Sequence, residues 1–325
     1  MNYIDMHCDT LMQAFLLRTD DIYTIEKTMA DIKRMLAGGT EAQFFAIFMP
    51  PMSFRKKMGE GIPADDEYIR ILREILWHTL EVHSDALAWA GSFADLEKNR
   101  IAGKCSAFLT IEDGRPVDGK MEKLEEYYNM GVRLISLTWN EQNCFGFPNS
   151  VDPEIMAAGL TAFGKEAVMR MNEMGMLVDV SHLSDGGFWD VVQICKGPFV
   201  ASHSNCRALS PHTRNLTDEM ICALADHGGV AGINFGPEFL HQDTSRKDST
   251  VEAIIAQARH MMSVGGEECV AIGTDFDGVT GTFEVGSPDR MNILFDALKK
   301  AGFHERQIER LARGNIRRVL KDVLT

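Results

Sequence analysis

Short apolar runs alternate with longer amphipathic stretches along nearly all of the 325 residues. The runs have the length of buried parallel strands, and the stretches between them repeat apolar residues at three- and four-residue intervals, as helices do. The runs lie at residues 3–6, 42–49, 106–111, 133–138, 176–181, 199–202, 230–235 and 270–274. This alternation is typical of an α/β protein, and eight runs predict a closed (β/α)8 barrel, or TIM barrel.

Helices are predicted between the runs, most clearly at residues 153–174, 217–227 and 251–263. Two insertions interrupt the alternation. Residues 50–105 contain a predicted helix at 66–83 and a short apolar run at 87–90, and residues 289–325 should form further helices outside the barrel. Because no linker rich in Pro, Gly or Ser divides the chain, we expect one barrel domain over residues 1–325, with extra helices after the second strand and at the C-terminus.

Composition excludes several classes of partner. The chain is 45% hydrophobic and 25% charged, as ordinary globular proteins are, and its formal charge of -14 would repel nucleic acid and anionic membranes. A small-molecule partner is therefore expected. The first residues contain no basic segment followed by an apolar stretch, and the seven cysteines show no C-x-x-C spacing. These features predict a cytoplasmic protein with reduced thiols.

Ionisable residues follow several of the apolar runs. His7 and Asp9 end the first run, Glu112 the third, His182 the fifth and His203 the sixth. The carboxyl ends of barrel strands form the active-site face, so these side chains should meet there. Taken singly, each histidine is more often a hydrogen-bonded structural residue. Together, three imidazoles and two carboxylates at one rim are best explained by bound metal, because burying them without a cation would cost too much.

The kind and number of ligands indicate two metal ions. Nitrogen and oxygen ligands without thiolate suit Zn²⁺, with manganese or cobalt as substitutes. Five ligands exceed what one catalytic zinc with an open position needs. We expect His7 and Asp9 to bind one ion, His182 and His203 the other, and Glu112 to bridge them. Such a pair could hold a hydroxide as nucleophile and polarise a carbonyl group.

Two aspartates follow the eighth run, in the sequence Gly273-Thr274-Asp275-Phe276-Asp277-Gly278. A hydrolase needs a base near its nucleophilic water, and Asp275 lies on the expected face to take that proton and pass it to a departing amine. Stabilisation of the turn before Gly278 is the alternative for both aspartates. We assign catalysis to Asp275 and the turn to Asp277.

Arg214 lies in the loop after the sixth run and could bind a substrate carboxylate through two hydrogen bonds. A solvated surface arginine explains the same position equally well. Asp113, Asp179 and His212 could orient metal ligands, although capping or core hydrogen bonding explains them as well.

Several motifs, in this order, resemble the renal or membrane dipeptidase family of the amidohydrolase superfamily. They are IDMHCD (4–9), GLTAFG (159–164), GMLVDVSH (175–182), SHSN (202–205), HTRNL (212–216), GTDFDG (273–278) and GNIRRVL (314–320). The resemblance implies a two-zinc barrel that hydrolyses dipeptides, often with a D-residue at the C-terminal position. It implies that Asp275 moves a proton and that Arg214 receives the substrate's terminal carboxylate. Relatives are often homodimers, although no interface is recognisable in this sequence.

One departure from the family concerns the fourth run. Relatives place a substrate-contacting histidine near its end, whereas this chain has Asn140 and Asn143 there. The contact is either missing in this chain or supplied by Asn140 or Asn143, which are the candidate substrate-binding residues here. The membrane attachment of animal relatives is not carried over, because no lipid-anchor signal is seen.

Two other functions remain open on the sequence. One is another amidohydrolase reaction on a small amide, lactone or β-lactam ring, because a barrel does not define its substrate. The other is a catalytically inactive descendant that keeps the metal ligands. The retention of Asp275 together with all five ligands favours an active enzyme.

Overall fold

The computed structural model describes residues 1–51, 54–55 and 61–325. Its strands are β1 (Tyr3–Cys8), β2 (Thr40–Phe48), β3 (Leu87–Trp89), β4 (Cys105–Glu112), β5 (Val132–Ser136), β6 (Leu177–Asp179), β7 (Val200–Ala201), β8 (Val230–Ile233), β9 (Asp248–Ser249), β10 (Val270–Ile272) and β11 (Thr282–Phe283). Eight of them run parallel in the order β2-β1-β10-β8-β7-β6-β5-β4, and pairing of β2 with β4 closes the barrel. The predicted (β/α)8 barrel is confirmed.

The short run at 87–90 forms β3, which belongs to the sheet without being one of the eight barrel strands. It pairs with the first residues of β4, from Leu87 opposite Cys105 to Trp89 opposite Ala107. β2 pairs along one edge of β4. The other edge of β4 pairs with β3 at its start and with β5 from Leu109 onward. β9 and β11 pair with each other away from the barrel.

Several strands end earlier than predicted. The fifth run extends to residue 181 in the prediction, whereas β6 ends at Asp179, and the eighth run extends to 274, whereas β10 ends at Ile272. Shortly beyond both ends the backbone enters the left-handed region, with φ of 70° at His182 and 61° at Asp275. Residues in that region cannot continue a strand. At His182 and Asp275 the polar rim of the barrel is therefore built from turns.

The helices are α1 (Thr10–Leu17), α2 (Ile32–Gly38), α3 (Asp65–Val82), α4 (Phe93–Ile101), α5 (Met121–Asn129), α6 (Pro153–Ala157), α7 (Ala162–Met174), α8 (Asp185–Ile194), α9 (Asp218–Asp226), α10 (Val251–Gly265), α11 (Met291–Lys300), α12 (Glu305–Glu309) and α13 (Asn315–Val323). Within the described residues, none is both long and apolar enough to cross a bilayer.

The prediction of one helix over 153–174 is wrong, because the chain breaks between α6 and α7. Gly159 lies in the break, where a Cβ atom would stand 2.2 Å from Oδ2 of Asp190. The same oxygen accepts a hydrogen bond from the backbone N–H of Leu160. Thr161 then caps α7, since its side chain accepts from the N–H of Gly164. These contacts stabilise the break.

The last helix seals the amino-terminal end of the barrel. One buried apolar cluster takes residues from all eight barrel strands, for example Ile4 and Phe108, and also contains Ile316 and Leu320 of α13. The side chain of Asn315 donates to the carbonyl oxygen of Val270, the first residue of β10. The C-terminal helices predicted for 289–325 are thus present, and α13 closes the end opposite the polar rim.

Glu41 stabilises this closure. Its carboxylate is buried at the start of β2 and accepts hydrogen bonds from Arg313, at 2.8 Å, and from Arg317 of α13. We expect Glu41→Gln to lower the free energy of unfolding by about 1–2 kcal/mol, since both arginines lose their buried counter-charge but keep partial contact with water. Denaturant titration measures the change. The exposed Glu26→Gln is the control, and equal stability of the two variants would contradict this role.

Candidate metal centre

The five residues proposed as ligands lie at the carboxyl ends of their strands and converge on one buried point. His7 is the penultimate residue of β1, with Asp9 just beyond the strand, and Glu112 ends β4, while His182 and His203 follow β6 and β7 by a few residues. The exposed fraction of each residue is 9% or less. The structure therefore brings together every side chain of the predicted set.

Glu112 lies between two groups of these side chains. Its Oε2 is 3.6 Å from Nε2 of His7, while its Oε1 is 2.9 Å from Nε2 of His182 and 3.4 Å from Nε2 of His203. On the first side, Oδ2 of Asp9 is 3.5 Å from Nε2 of His7. A carboxylate can contact two cations at once when each of its two oxygens faces a different set of metal-ligand atoms.

The polar atoms of the site fit a divalent cation. Nε2 of His7 and Oδ1 of Asp9 are buried and have no hydrogen-bond partner among the described residues. Three buried carboxylates, those of Asp9, Glu112 and Asp275, line one cavity, and the half-buried Glu238 adds a fourth; among the described lining residues the one guanidinium is that of Arg214. Buried polar atoms without partners are costly, and uncompensated carboxylates more so. Divalent cations would give these atoms a partner and would compensate the excess negative charge.

Burial and neighbouring charges shift the pKa values of the proposed ligands in different directions. Loss of water contact, with the positive charge of Arg214 and His7 nearby, lowers the pKa of His182 and His203 far below the ordinary value and keeps both rings neutral. Burial raises the pKa of Glu112. At His7, burial lowers the pKa, but Glu112, Asp9 and Asp275 outweigh it and raise the value to about 10. A cation bound here would displace that proton.

Hydrogen bonds determine which ring nitrogen of His203 is free to bind a metal ion. Oδ2 of Asp179 accepts from the hydroxyl of Ser202 at 2.6 Å, and the same oxygen of Ser202 lies 2.7 Å from Nδ1 of His203. A carboxylate only accepts, so the Ser202 proton points to Asp179 and the serine oxygen accepts from Nδ1–H of His203. Nε2 of His203 is left with a lone pair facing the site.

His182 is oriented in two ways. Its Nδ1 lies 3.3 Å from Oδ1 of Asn140, which can only accept, so the ring proton is on Nδ1 and Nε2 presents a lone pair to the site. Its carbonyl oxygen accepts from the backbone N–H of Asn149 at 2.7 Å and from the hydroxyl of Thr138 at 3.2 Å. These bonds hold a histidine in the left-handed backbone region, a conformation that costs free energy and recurs at functional sites.

The loop after β10 is bonded to the end of β1. The carboxylate of Asp5 accepts from the backbone N–H of Thr274 at 2.9 Å and from its hydroxyl at 2.6 Å. The N–H of Asp275 donates to the carbonyl oxygen of His7. Gly278 leaves room for the carboxylates, because a Cβ atom there would stand 2.1 Å from Asp9 and 2.3 Å from Asp275.

Asp275 reaches the site, with one oxygen bonded and the other facing the ligands. Its Oδ2 accepts from the side-chain amide of Asn234 at 2.7 Å, while its Oδ1 is 3.7 Å from Nε2 of His7. Burial and the charge of Asp9 raise the pKa of Asp275 to about 7, although His7 opposes them. The sequence analysis missed Asn234. Its signal was a single polar residue within the apolar run at 230–235.

A cavity of about 360 Å³ opens above these residues. Part of its wall is aromatic or apolar, formed by Met12, Phe48, Phe54, Trp139, Phe239 and Val279. Its polar lining includes Asn140, Asn149, His212, Arg214 and Glu238. The sequence analysis did not identify the aromatic walls, because an aromatic residue near a strand end looks the same in sequence whether it lines a cavity or packs in the core.

Arg214 is buried beside the candidate ligands. The alternative that it is a solvated surface residue is therefore excluded. Its Nη1 donates to the hydroxyl of Ser204 at 2.7 Å and its Nη2 to the carbonyl oxygen of His203 at 3.2 Å. Its Nε has no partner among the described residues. Burial lowers the pKa of Arg214 to about 10, although Glu112 and Asp275 oppose the shift.

The two asparagines differ in position. Asn140 lines the cavity, but Asn143 does not face it. The amide nitrogen of Asn143 donates to Asp113 at 2.7 Å and to the carbonyl oxygen of Leu137, and its oxygen accepts from the N–H of Phe145. With its hydrogen-bonding groups used within the loop, Asn143 is corrected from a substrate-binding to a structural residue.

Two further aspartates have structural contacts. Asp113, which follows Glu112 with a φ of 77°, accepts from the backbone N–H of Arg115. Asp277 accepts from the hydroxyl of Thr10 at 2.7 Å and from the N–H of Met29 at 2.6 Å. Asp277 therefore fastens the loop before α2 to the start of α1, a longer-range role than the local turn predicted for it.

The chain was compared with known proteins. The model of the membrane dipeptidase family, peptidase family M19, matches residues 1–325. An uncharacterised protein of Klebsiella pneumoniae, from the region 5′ of pqqA, is 36% identical over 264 residues, which are 77% of this chain and 96% of that protein. A dipeptidase of Claviceps purpurea is 25% identical over 313 residues, covering 94% of this chain and 72% of that protein.

Solved structures show the same fold. A crystal structure of dipeptidase AC, a metallo peptidase of family M19, superposes with a TM-score of 0.88 at 24% identity, covering 100% of this chain and 99% of that one. A metallo peptidase from Rhodobacter sphaeroides, liganded with a phosphinate mimic of the dipeptide L-Ala-D-Ala, gives 0.87 at 23% identity with the same coverage.

Removal of the Ser202 hydroxyl tests the orientation of His203. We expect Ser202→Ala to weaken the binding of a divalent cation by about 10- to 100-fold, since Nδ1 of His203 loses the acceptor that sets its tautomer. Competition with a chelator measures the affinity, and circular dichroism checks the fold. Ser263→Ala, at an exposed position, is the control. An unchanged affinity in Ser202→Ala would show that His203 needs no such support.

Proposed function

Because the chain belongs to the membrane dipeptidase family, peptidase family M19, we propose that it hydrolyses the peptide bond of dipeptides with two divalent cations. The observation that carries the proposal is the position of Glu112, with one oxygen toward His7 and the other toward His182 and His203. A buried carboxylate has this environment when it bridges two ions. Asp9 completes the proposed ligand set.

The proposed ions are Zn²⁺. The donors are imidazole nitrogens and carboxylate oxygens, a set that zinc accepts. Cys8, which lies between two proposed ligands in sequence, belongs to the apolar core cluster and offers no thiolate. When bound, such a pair of cations lowers the pKa of water and polarises the carbonyl group that is attacked.

Asp275 is proposed to carry the proton. Its Oδ2 is held by Asn234, so Oδ1 is the atom free to accept a proton from the attacking water and to donate it to the leaving amine. Burial and the charge of Asp9 raise the pKa of Asp275 to about 7, which suits a group that must both take and release a proton near neutral pH.

Arg214 and Asn140 are proposed to hold the substrate. Arg214 has a fixed guanidinium with an unpartnered N–H, which fits a terminal carboxylate better than an uncharged group. Asn140 is oriented by His182 through its oxygen, so its amide nitrogen is available as a donor to a substrate carbonyl. The phosphinate bound to the Rhodobacter sphaeroides metallo peptidase mimics L-Ala-D-Ala. We extend the proposal to dipeptides with a C-terminal D-residue.

Metal counting combined with a substrate panel tests the function. We expect two zinc ions per chain, turnover of L-L or L-D dipeptides, and loss of that turnover on addition of a chelator. Glu112→Gln should lose at least one ion together with activity, because one side chain serves both sites. The panel includes lactones, β-lactams and nucleobases. Turnover of one of these without dipeptide hydrolysis would replace the proposed substrate class.

The role of Asp275 is tested in the metal-loaded protein. Asp275→Asn keeps the size of the side chain but cannot carry a proton at neutral pH, so we expect kcat to fall by about 100-fold or more while the ion count stays at two. Steady-state kinetics measure the change. Asp289→Asn, on the exposed surface, is the matched control. If Asp275→Asn hydrolysed dipeptides at the wild-type rate, another group would have to move the proton.

A further inference from the structure

We propose that the imidazole of His212 donates a hydrogen bond from Nε2 to the C-terminal carboxylate of the substrate, beside the guanidinium of Arg214. This inference rests on the proposed dipeptidase function and extends it to a second carboxylate-binding residue. Such a contact would select substrates that end at this position, because a longer peptide or an amide places no negative charge there.

The hydrogen bonds of His212 determine its tautomer. The backbone N–H of Arg214 donates to Nδ1 of His212 at 3.1 Å. A nitrogen that accepts carries no proton, so the ring is neutral and its proton is on Nε2. Burial, with Arg214 and Arg207 nearby, lowers the pKa of His212 and so favours the same neutral form.

The ring is also fixed in place. His212 begins a turn in which its carbonyl oxygen accepts from the N–H of Asn215, and it meets Phe239 edge-on, with ring centroids 4.9 Å apart. The side chain is half-buried and lines the same cavity as Arg214. Its Nε2 has no hydrogen-bond partner among the residues that the structure describes. A donor that is fixed in place, faces the cavity and has no partner among these residues is prepared for a ligand.

Two features favour a carboxylate over the reacting carbonyl as that ligand. His212 and Arg214 come from one turn, and the backbone of Arg214 anchors the imidazole, so the two donors are positioned as a unit. Arg214 supplies the single positive charge that a carboxylate requires, and its buried Nε lacks a partner. A neutral second donor then adds a hydrogen bond without adding uncompensated charge.

Kinetics with a matched pair of substrates test the proposal. The pair consists of alanyl-alanine and its C-terminal amide. The first residue is L-alanine, and the second has whichever configuration the wild-type protein hydrolyses faster. For the free acid, we expect His212→Ala to raise KM by about tenfold or more with little change in kcat, whereas kinetics on the amide should hardly change. His212→Gln places an amide N–H near the position of Nε2 and should restore part of the loss. The exposed His78→Ala is the control.

Other outcomes overturn the proposal in distinguishable ways. An equal loss on acid and amide, mainly in kcat, would place the contact at the reacting carbonyl. A fall in metal content or altered near-UV circular dichroism in both His212 variants would show a structural role. Wild-type kinetics in both variants would exclude the contact.

Failure of the proposed function would appear differently, as absence of dipeptide hydrolysis in the wild-type protein. In that case, calorimetry with the reduced-bond isostere of the same dipeptide, with and without its free carboxylate, tests the contact without turnover. Equal affinity of wild type and His212→Ala for the acid form would then reject it.

Discussion

The carboxylate of Glu112 lies within 3.6 Å of imidazole nitrogens that follow three different strands, and almost none of its surface contacts water. Bringing this group and two further carboxylates into one cavity is unfavourable unless something replaces the lost hydration. Arg214 compensates one charge. The proposed cations would compensate the remaining negative charge and would give the unpartnered atoms of His7 and Asp9 a partner. The geometry of the rest of the rim follows from holding these groups in place.

Support for the site comes from residues that never face the cavity. Asp179 and Ser202 set the tautomer of His203, Asp5 fastens the loop that carries Asp275, and Asn234 holds one oxygen of that aspartate. Ser202 and His203 are neighbours in the chain, but the other bonds join segments far apart, and the barrel makes this possible because its parallel strands end at one rim. His212 is oriented locally instead, within one turn, because the backbone N–H of Arg214 donates to its Nδ1. Orientation is thus imposed mainly by hydrogen bonds between neighbouring loops.

Much of the fold and part of the site were predictable. Eight apolar runs identified the barrel strands, and each ionisable residue chosen at the end of a run does lie at the rim. The prediction succeeded because burial on both faces leaves an apolar run that local sequence displays, and because the strand direction then determines which end carries the polar residues. It failed where contacts between distant segments decide the outcome. The break at Gly159 depends on Asp190, and the ends of β6 and β10 depend on turns that pairing alone does not reveal.

The sequence by itself determined the alternation of strands and helices, the identity of the proposed ligands and the motifs of the family. Only the tertiary structure separated Asn140, which lines the cavity, from Asn143, whose amide is used within its own loop. Only the tertiary structure showed which nitrogen of His203 and of His212 is free. The physical reason is that residue type and strand position are local properties, whereas the direction of a side chain and the position of its proton depend on partners that folding brings together.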